Sequence, residues 1–287
     1  MVPGILLYGA PGTGKTHLVR GVAKSCNASV LDVSPAELFR MYIGESEKAI
    51  KALFSLARKL HPCIIFIDEA DALFRMRSDS DREWYRGIIS QLLQEWDGFA
   101  SDVSKWVLVI LATNRPYDLD EAVLRRVPRK ICVGLPSLKG REKILEIHLR
   151  DERLAEDVDL RSIAERTPDF TGSDLKNLCV VAAYRSIYEE LPRWNTPPAA
   201  ETVTDPKSAK TTMEAGQQSQ RLLKASHFSL AMQEVSMSVS KDSLIRIRNF
   251  QDQNAKHLET GSTRKKLIPT QLGEQQMYLI SHALRRN

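Results

Sequence analysis

The sequence predicts an α/β fold: a mostly parallel sheet with helices on both faces, followed by a small all-α domain. Short β-rich runs alternate with helical stretches over residues 1–135. Two of these runs, Cys63–Ile67 and Trp106–Leu111, are continuously apolar, as in central strands buried on both faces. The strand signal ends after Pro136. Alternating strands and helices imply crossover connections and therefore a parallel sheet.

The elements of the α/β part follow one another at short intervals. The predicted strands cover Ile5–Tyr8, Ser29–Val33, Cys63–Ile67, Trp106–Leu111 and Lys130–Val133. The predicted helices between them cover Lys15–Cys26, Glu45–Lys59 and Trp84–Trp96. The second of these helices has apolar residues at the spacing of one buried helical face. We therefore predict an α/β domain over residues 1–135.

The chain beyond Pro136 is predicted to be helical. Its helices cover Ser137–Leu149, Asp174–Glu190 and Leu222–Val239, and a capping box at Thr171 opens the second. Residues 192–219 hold four prolines and few large apolar side chains, which predicts a disordered insertion. We therefore assign 136–191 plus 220–250 to the helical domain and leave 251–287 as an uncharacterised tail.

Composition excludes several classes of protein. With 43% hydrophobic and 27% charged residues, the 287-residue chain is neither a disordered protein nor a membrane bundle. No apolar run reaches the ~18 residues of a membrane helix. The net charge of +5 is too small to indicate nucleic acid binding by itself. The four separated cysteines favour reduced thiols in an intracellular compartment.

A glycine-rich loop follows the first strand and fits G-x-x-x-x-G-K-[ST]. The loop consists of Gly9, Ala10, Pro11, Gly12, Thr13, Gly14, Lys15 and Thr16, and His17 follows it as a further candidate contact to the nucleotide. Glycines let the backbone turn several N–H groups toward one anion, at a helix N-terminus. Lys15 would reach the β- and γ-phosphates, and Thr16 would bind Mg²⁺. The alternative is a glycine-rich turn without function.

Two adjacent acids follow the buried strand Cys63–Ile67. At the carboxyl end of a parallel strand, Asp68 can orient a water molecule that is bound to Mg²⁺. Glu69 can then activate the water that attacks the γ-phosphate. The alternative is a pair of acids favoured at a helix N-terminus by the helix dipole.

Six motifs in this order resemble those of the AAA ATPases, which are P-loop NTPases. They are the phosphate loop (Walker A), Tyr42–Glu47, Ile67–Asp71 (Walker B), Ala112–Pro116, Leu124–Arg126 and Thr171–Leu175. The resemblance is strongest to the branch with katanin, spastin and the ESCRT-disassembling enzymes. Residues 118–128 look most like the enzymes that extract proteins from the outer mitochondrial membrane. The resemblance implies a parallel-sheet AAA domain with a helical lid, ATP and Mg²⁺ as cofactors, and a hexameric ring.

The resemblance also implies roles for individual residues. Asn114 would be a sensor of the γ-phosphate or the attacking water, although an asparagine before Pro116 can also cap a turn. Arg125 and Arg126 would be arginine fingers that reach the site of a neighbouring subunit. Two adjacent arginines are otherwise usually a solvated basic surface.

Other implied contacts lie further from the phosphates. His148, Gly172 and Ser173 would approach the adenine, although a histidine on an apolar helix face is often a core residue. Tyr42 and Ile43 would form a pore loop that grips an extended polypeptide, and the alternative is a core aromatic in a turn. The chain begins at the first strand, so we expect it to lack the family's preceding segment, which covers the adenine.

The sequence therefore favours a Mg²⁺-dependent ATPase that remodels, extracts or unfolds proteins as a ring. The alternative is a nucleotide-binding fragment or regulatory subunit that hydrolyses poorly. A DNA-handling ATPase ranks lower, because no dense basic stripe lines the pore loops and no nucleic acid partner is expected. The resemblance suggests the mitochondrial outer membrane or the peroxisome, and otherwise the cytoplasm, with no membrane segment in this chain.

Overall fold

The computed structural model describes residues 4–39, 45–75, 83–100, 106–194 and 222–261. The chain forms two compact units. The first comprises the chain up to Gly134 together with the chain from Val239, and the second is Leu135–Ser238. Within the described ranges, no helix has the length and apolar character needed to cross a membrane. The predicted insertion over 192–219 lies almost entirely outside the described residues.

The first unit is built on a parallel sheet of five strands. The strands are β1 (Gly4–Tyr8), β2 (Ser29–Val33), β3 (Cys63–Ile67), β4 (Val107–Thr113) and β5 (Arg129–Cys132). Their order across the sheet is β2-β3-β4-β1-β5, and every residue of β1, β3 and β4 is buried. The predicted sheet is confirmed, and β4 extends past the predicted end at Leu111 because Ala112 and Thr113 also pair with β1.

Helices cover both faces of this sheet. They are α1 (Lys15–Ser25), α2 (Pro35–Phe39), α3 (Glu45–Lys59), α4 (Ala70–Leu73), α5 (Glu83–Ala100) and α6 (Glu121–Arg126), with a 3-10 turn at Pro116–Asp118. One apolar cluster joins the sheet to α3 and α5 through Phe54 and Leu92. The other joins it to α1 through Val19 and Ala23. The sequence analysis missed α2, α4 and α6, because they are too short to show a helical period.

The second unit is mainly helical. It contains α7 (Leu138–His148), α8 (Leu160–Arg166), α9 (Gly172–Trp194) and α10 (Ala225–Glu234). It also contains a short parallel pairing of β6 (Arg153–Leu154) with β7 (Leu222–Leu223). The sequence analysis missed this pairing, because two residues are too few to show the alternation of a strand. It also predicted one helix over 222–239, whereas the structure has a strand, α10 and a helix end at Glu234.

The predicted capping box at the start of α9 is confirmed. The Thr171 N–H donates to Asp174 Oδ2 at 2.9 Å, and the Asp174 N–H donates to Thr171 Oγ1 at 3.2 Å. The Thr171 hydroxyl donates to the same carboxylate at 2.9 Å. These bonds satisfy buried N–H groups that the first turn of a helix otherwise leaves unpaired.

The last described helix, α11 (Lys241–Gly261), belongs to the first unit. The sequence analysis assigned its first half to the helical domain and its second half to the tail. Instead, Val239, Ile247 and Phe250 are buried in the cluster that packs on the sheet. The apolar residues of a helix predict that one face is buried, but they do not predict which surface covers it.

The helix α11 packs against Tyr8 at the carboxyl end of β1 and against Lys130 of β5. The ring of Phe250 meets Tyr8 edge-on, with ring centroids 5.2 Å apart and planes at 78°. The Lys130 ammonium group donates to Asn254 Oδ1 at 2.6 Å and lies 5.8 Å from the centroid of the Phe250 ring. Because Tyr8 precedes the glycine-rich loop directly, α11 supports the strand from which that loop begins.

We predict that Phe250→Ala destabilises the first unit by about 3–5 kcal/mol, because it removes a buried aromatic side chain and leaves a cavity. Ile245→Ala, on the same helix at a side chain that is 55% exposed, is the matched control and should stay within about 0.5 kcal/mol. Urea unfolding followed by tryptophan fluorescence measures both. Equal shifts for the two variants would contradict this account of α11.

Candidate active site

The polar groups predicted from separate parts of the sequence meet at one edge of the sheet. The strands β1, β3 and β4 are neighbours or next neighbours and run in the same direction, so their carboxyl ends lie together. The glycine-rich loop follows β1, Asp68 and Glu69 follow β3, and Asn114 follows β4. A crevice at the carboxyl ends of parallel strands, where the strand order changes direction, is the usual ligand site of this architecture.

Three glycines give the loop its shape. A Cβ atom on Gly9 would lie 2.1 Å from the carbonyl oxygen of Val133, so no larger residue fits there. Gly12 and Gly14 have φ angles of +74° and +90°, which L side chains rarely adopt. The hydroxyl of Thr13 donates to the carbonyl of Ala10 at 2.9 Å and closes the curl. The loop then enters α1, whose N-terminus carries partial positive charge.

Lys15 lies at the centre of the site. Its side chain is buried, and its Nζ donates to the carbonyls of Gly9 at 3.0 Å and Ala10 at 2.9 Å. The third bond goes to Asn114 Oδ1 at 2.6 Å, which joins the loop to the end of β4. Burial lowers the pKa of Lys15 to about 8, although the charges of Asp68 and Asp71 act in the opposite direction. The structure therefore brings the predicted sensor residue Asn114 to the phosphate loop.

Thr16 and Asp68 form the part of the site that can hold magnesium. The Thr16 hydroxyl donates to Asp68 Oδ2 at 2.7 Å, and Asp68 Oδ1 accepts the N–H of Glu69 at 2.9 Å. Among the described residues, no group of three or more His, Cys, Asp or Glu side chains could hold a metal by itself. These residues fit Mg²⁺, which uses one or two protein oxygens together with phosphate oxygens and water.

Glu69 is held in an unusual backbone conformation. Its φ and ψ are 49° and 44°, in the left-handed region, and the residue is exposed. Such conformations are costly for residues other than glycine and concentrate at functional sites. The turn takes Glu69 out of the strand direction of β3 and directly into α4, so its carboxylate leaves the buried sheet.

Comparison with known proteins identifies the family. Residues 5–135 match the domain described as "ATPase family associated with various cellular activities (AAA)", and residues 157–196 match the AAA+ lid domain. The crystal structure titled "FIGL-1 AAA domain in complex with ADP" is 31% identical, with a TM-score of 0.70 over 88% of this chain and 78% of that chain. This chain belongs to the AAA family of ATPases.

Two curated relatives are longer than this AAA chain. The human outer mitochondrial transmembrane helix translocase is 45% identical over 186 residues, which is 65% of this chain and 52% of the relative. The katanin p60 ATPase-containing subunit A1 of Strongylocentrotus purpuratus is 38% identical over 253 residues, covering 85% of this chain and 46% of the relative. The chain therefore spans about half the length of the curated relatives that it matches.

The two predicted arginine fingers of this AAA domain have different surroundings. The Arg126 guanidinium donates from Nε to Asp97 Oδ1 at 2.8 Å and also donates to the carbonyl of Ala122 at 2.8 Å. The side chain of Arg125 is 81% exposed and lies 3.6 Å from Glu121, which is exposed as well. Arg126 is therefore fixed within its own chain, whereas Arg125 can be reached by a neighbouring molecule.

The remaining predicted contacts lie on α1, in the second unit or outside the described residues. His17 is exposed on α1. His148, Gly172 and Ser173 lie in the second unit, and their contact with adenine stays a prediction. His148 is exposed within that unit, so it is not the core histidine of the alternative interpretation. Tyr42 and Ile43 lie outside the described residues, so their pore-loop role also stays a prediction.

The sequence analysis overlooked two members of the site. Thr113 ends β4, and Asp71 lies in the first turn of α4; the hydroxyl of Thr113 donates to Asp71 Oδ1 at 2.5 Å. Both residues belong to motifs that carried the family resemblance, but neither was given a role. Thr113 had a signal, since it is a polar residue directly after the apolar run 107–112, whereas Asp71 is separated from the apolar run 63–67 by three residues and had none.

We predict that ADP binding weakens as pH rises through about 8, because Lys15 then loses the proton that gives it its charge. One pH unit above that pKa, Lys15 is protonated in only about a tenth of the nucleotide-free molecules. The affinity for ADP should therefore fall about tenfold between about pH 7 and about pH 9. Titration with a fluorescent ADP analogue measures this. Lys15→Met is the control and should bind weakly at either pH. A wild-type affinity that does not change over this range would contradict the prediction.

Proposed function

We propose that this chain hydrolyses ATP in a Mg²⁺-dependent reaction and uses that energy, as a ring-shaped assembly, to remodel or extract proteins. The observation that carries the proposal is the convergence of Lys15, Thr16, Asp68, Glu69 and Asn114 at one edge of the sheet. Each group has a partner or position that fits one part of phosphoryl transfer. Membership of the AAA family supports the same reaction.

Binding of the phosphates uses the loop and Lys15. The backbone N–H groups at the start of α1 and the Lys15 ammonium group meet the β- and γ-phosphates. Thr16 and Asp68 would hold Mg²⁺ through their side-chain oxygens, and the ion would neutralise charge on the phosphates. The hydrogen bond from Thr16 to Asp68 orients both oxygens in advance.

Hydrolysis then requires a base and a group that orients water. Glu69 takes the proton of the attacking water, since its exposed carboxylate follows directly on the magnesium-binding Asp68. Asn114 accepts a hydrogen bond from Lys15 through Oδ1, which leaves its amide nitrogen to donate to the γ-phosphate or the water. A nucleotide-binding subunit without turnover would need the loop but would have no use for this pair.

We predict that Glu69→Gln binds ATP as tightly as the wild type but hydrolyses it at least about 100-fold more slowly, because the amide cannot take a proton. Steady-state phosphate release and binding of a fluorescent ATP analogue measure the two effects. Glu165→Gln, which neutralises an exposed acid on α8, is the control. If the wild type is already as slow as Glu69→Gln at every protein concentration, the chain is a nucleotide-binding module and not a motor.

The exposure of Arg125 supports a site that is completed by a neighbouring subunit. A guanidinium that is 81% exposed has no buried role in its own chain, whereas one placed against a γ-phosphate stabilises charge in the transition state. By the family resemblance, such an arginine would lie at a subunit interface of a hexamer. We therefore assign this role to Arg125 first and treat Arg126 as a residue that shapes the interface.

We predict that Arg125→Ala slows turnover about 1000-fold and that mixing it with Glu69→Gln restores part of the activity. In the mixture, some interfaces combine an intact Glu69 with an intact Arg125 from the next subunit. Phosphate release from the mixture, with light scattering to follow assembly, measures this. Arg126→Ala should also lower the melting temperature, because it breaks the pair with Asp97. A mixture no faster than its components would rule out a finger that acts between subunits.

The substrate class is proposed from the relatives. One group of relatives is named for translocating transmembrane helices at the outer mitochondrial membrane, so we propose membrane proteins as substrates and that membrane as the location. Tyr42 and Ile43 would contact the extended polypeptide. The Glu69→Gln variant, loaded with ATP, should retain a peptide with an apolar helix, and the further change Tyr42→Ala should release it; retention without Tyr42 would count against the pore loop.

A further inference from the structure

Thr113 connects three parts of the site. It is buried at the end of β4, and its hydroxyl donates to Asp71 Oδ1 at 2.5 Å. The hydroxyl oxygen of Thr113 also accepts a hydrogen bond from the backbone N–H of Arg115 at 2.9 Å. A threonine hydroxyl has one proton to donate, so the carboxylate of Asp71 fixes its direction and leaves a lone pair for Arg115. The two bonds define the turn that carries Asn114.

The backbone of Thr113 also reaches the phosphate loop. Its carbonyl accepts the N–H of Gly9 at 3.3 Å, and Tyr8 pairs with Thr113 in the sheet. Next along the chain, Asn114 Oδ1 accepts from Lys15 at 2.6 Å. A movement of the turn after β4 would therefore shift the sensor relative to the loop that holds the phosphates.

Asp71 connects the segment that bears Glu69, the proposed general base, to the same hydrogen bonds. It lies in α4, which begins immediately after Glu69 and is anchored by Ala70 and Leu73, both with 0% exposure. The hydrogen bond from Thr113 to Asp71 therefore joins the segment that bears Glu69 to the turn that bears Asn114. The chain beyond these two segments is also joined, since the Asp120 N–H donates to the carbonyl of Phe74 at 2.9 Å, but the bond from Thr113 to Asp71 lies nearer to Glu69 and Asn114 in sequence.

We propose that Asp71 is a positioning residue for hydrolysis: through Thr113 it holds Asn114 in register with Glu69 and the phosphate loop. This inference rests on the ATPase activity proposed above. Asp71 does not touch the phosphates in this account, so its loss should affect the rate of hydrolysis and not the affinity for nucleotide. A displacement of about 1 Å at a catalytic group is sufficient to slow a reaction about 100-fold.

The test compares Asp71→Ala and Thr113→Val with Thr113→Ser, which keeps the hydroxyl. We expect the first two to lower kcat about 10- to 100-fold while the KM for ATP stays within about threefold, and Thr113→Ser to remain close to the wild type. The double variant Asp71→Ala/Thr113→Val should be no slower than the slower single variant, because both remove the same hydrogen bond. Asp118→Ala is the control, since it removes an exposed carboxylate that pairs with Arg115 at 3.9 Å.

A second readout does not depend on activity. Hydrogen exchange of the peptide that contains Arg115, measured by mass spectrometry without nucleotide, reports the bond from its N–H to Thr113 Oγ1. We expect faster exchange there in Asp71→Ala and Thr113→Val and no change in Asp118→Ala. Light scattering measures whether all variants assemble alike.

The outcomes separate this inference from the proposed function. If the wild type does not hydrolyse ATP, the ATPase proposal fails, and hydrogen exchange alone tests the positioning of the turn. Increased exchange at Arg115 in Asp71→Ala then supports it, and unchanged exchange overturns it. If the wild type is active, an unchanged kcat in Asp71→Ala overturns the inference. A loss of nucleotide affinity equal to the loss of kcat, or additive effects in the double variant, also overturns it.

Discussion

The parallel register of β1, β3 and β4 aligns Tyr8 with Thr113 and Ile67 with Leu111, so three strands end at the same edge of the sheet. Every chemical group of the site follows one of these three ends. Because each strand is buried on both faces, a shift in register would disrupt the packing of its side chains against the helices and move the polar residues out of reach of one another. The same strand register therefore both buries the sheet and brings the polar residues of the site together.

A buried positive charge dominates the electrostatics of this edge. Lys15 is desolvated by the loop that surrounds it, and carbonyl oxygens, an amide oxygen and more distant carboxylates compensate part of its charge. Burying a charge that is not fully paired is unfavourable, and a phosphate group supplies the missing negative charge. The incompletely compensated charge of Lys15 therefore favours binding of a nucleotide phosphate.

Contacts of α11 and of Arg126 stabilise the α/β unit, whereas Arg125 stays exposed. Phe250 packs against Tyr8 at the carboxyl end of β1, Asn254 accepts a hydrogen bond from Lys130 of β5, and Arg126 pairs with Asp97. Arg125, one residue earlier, is left exposed on the same short helix. Helical spacing explains the difference, since adjacent residues of a helix point about 100° apart.

The sequence alone determined the sheet, the phosphate loop, and the pairing of Asp68 and Glu69 with a central strand, because apolar runs and glycine spacing are local properties. It also predicted the capping box at Thr171, which needs only four residues. Only the tertiary structure decided that α11 covers the sheet, that Arg125 and Arg126 differ, and that Asp71 meets Thr113 across 42 positions of sequence. These contacts join distant segments, and the residues at each end carry no pattern that names their partner.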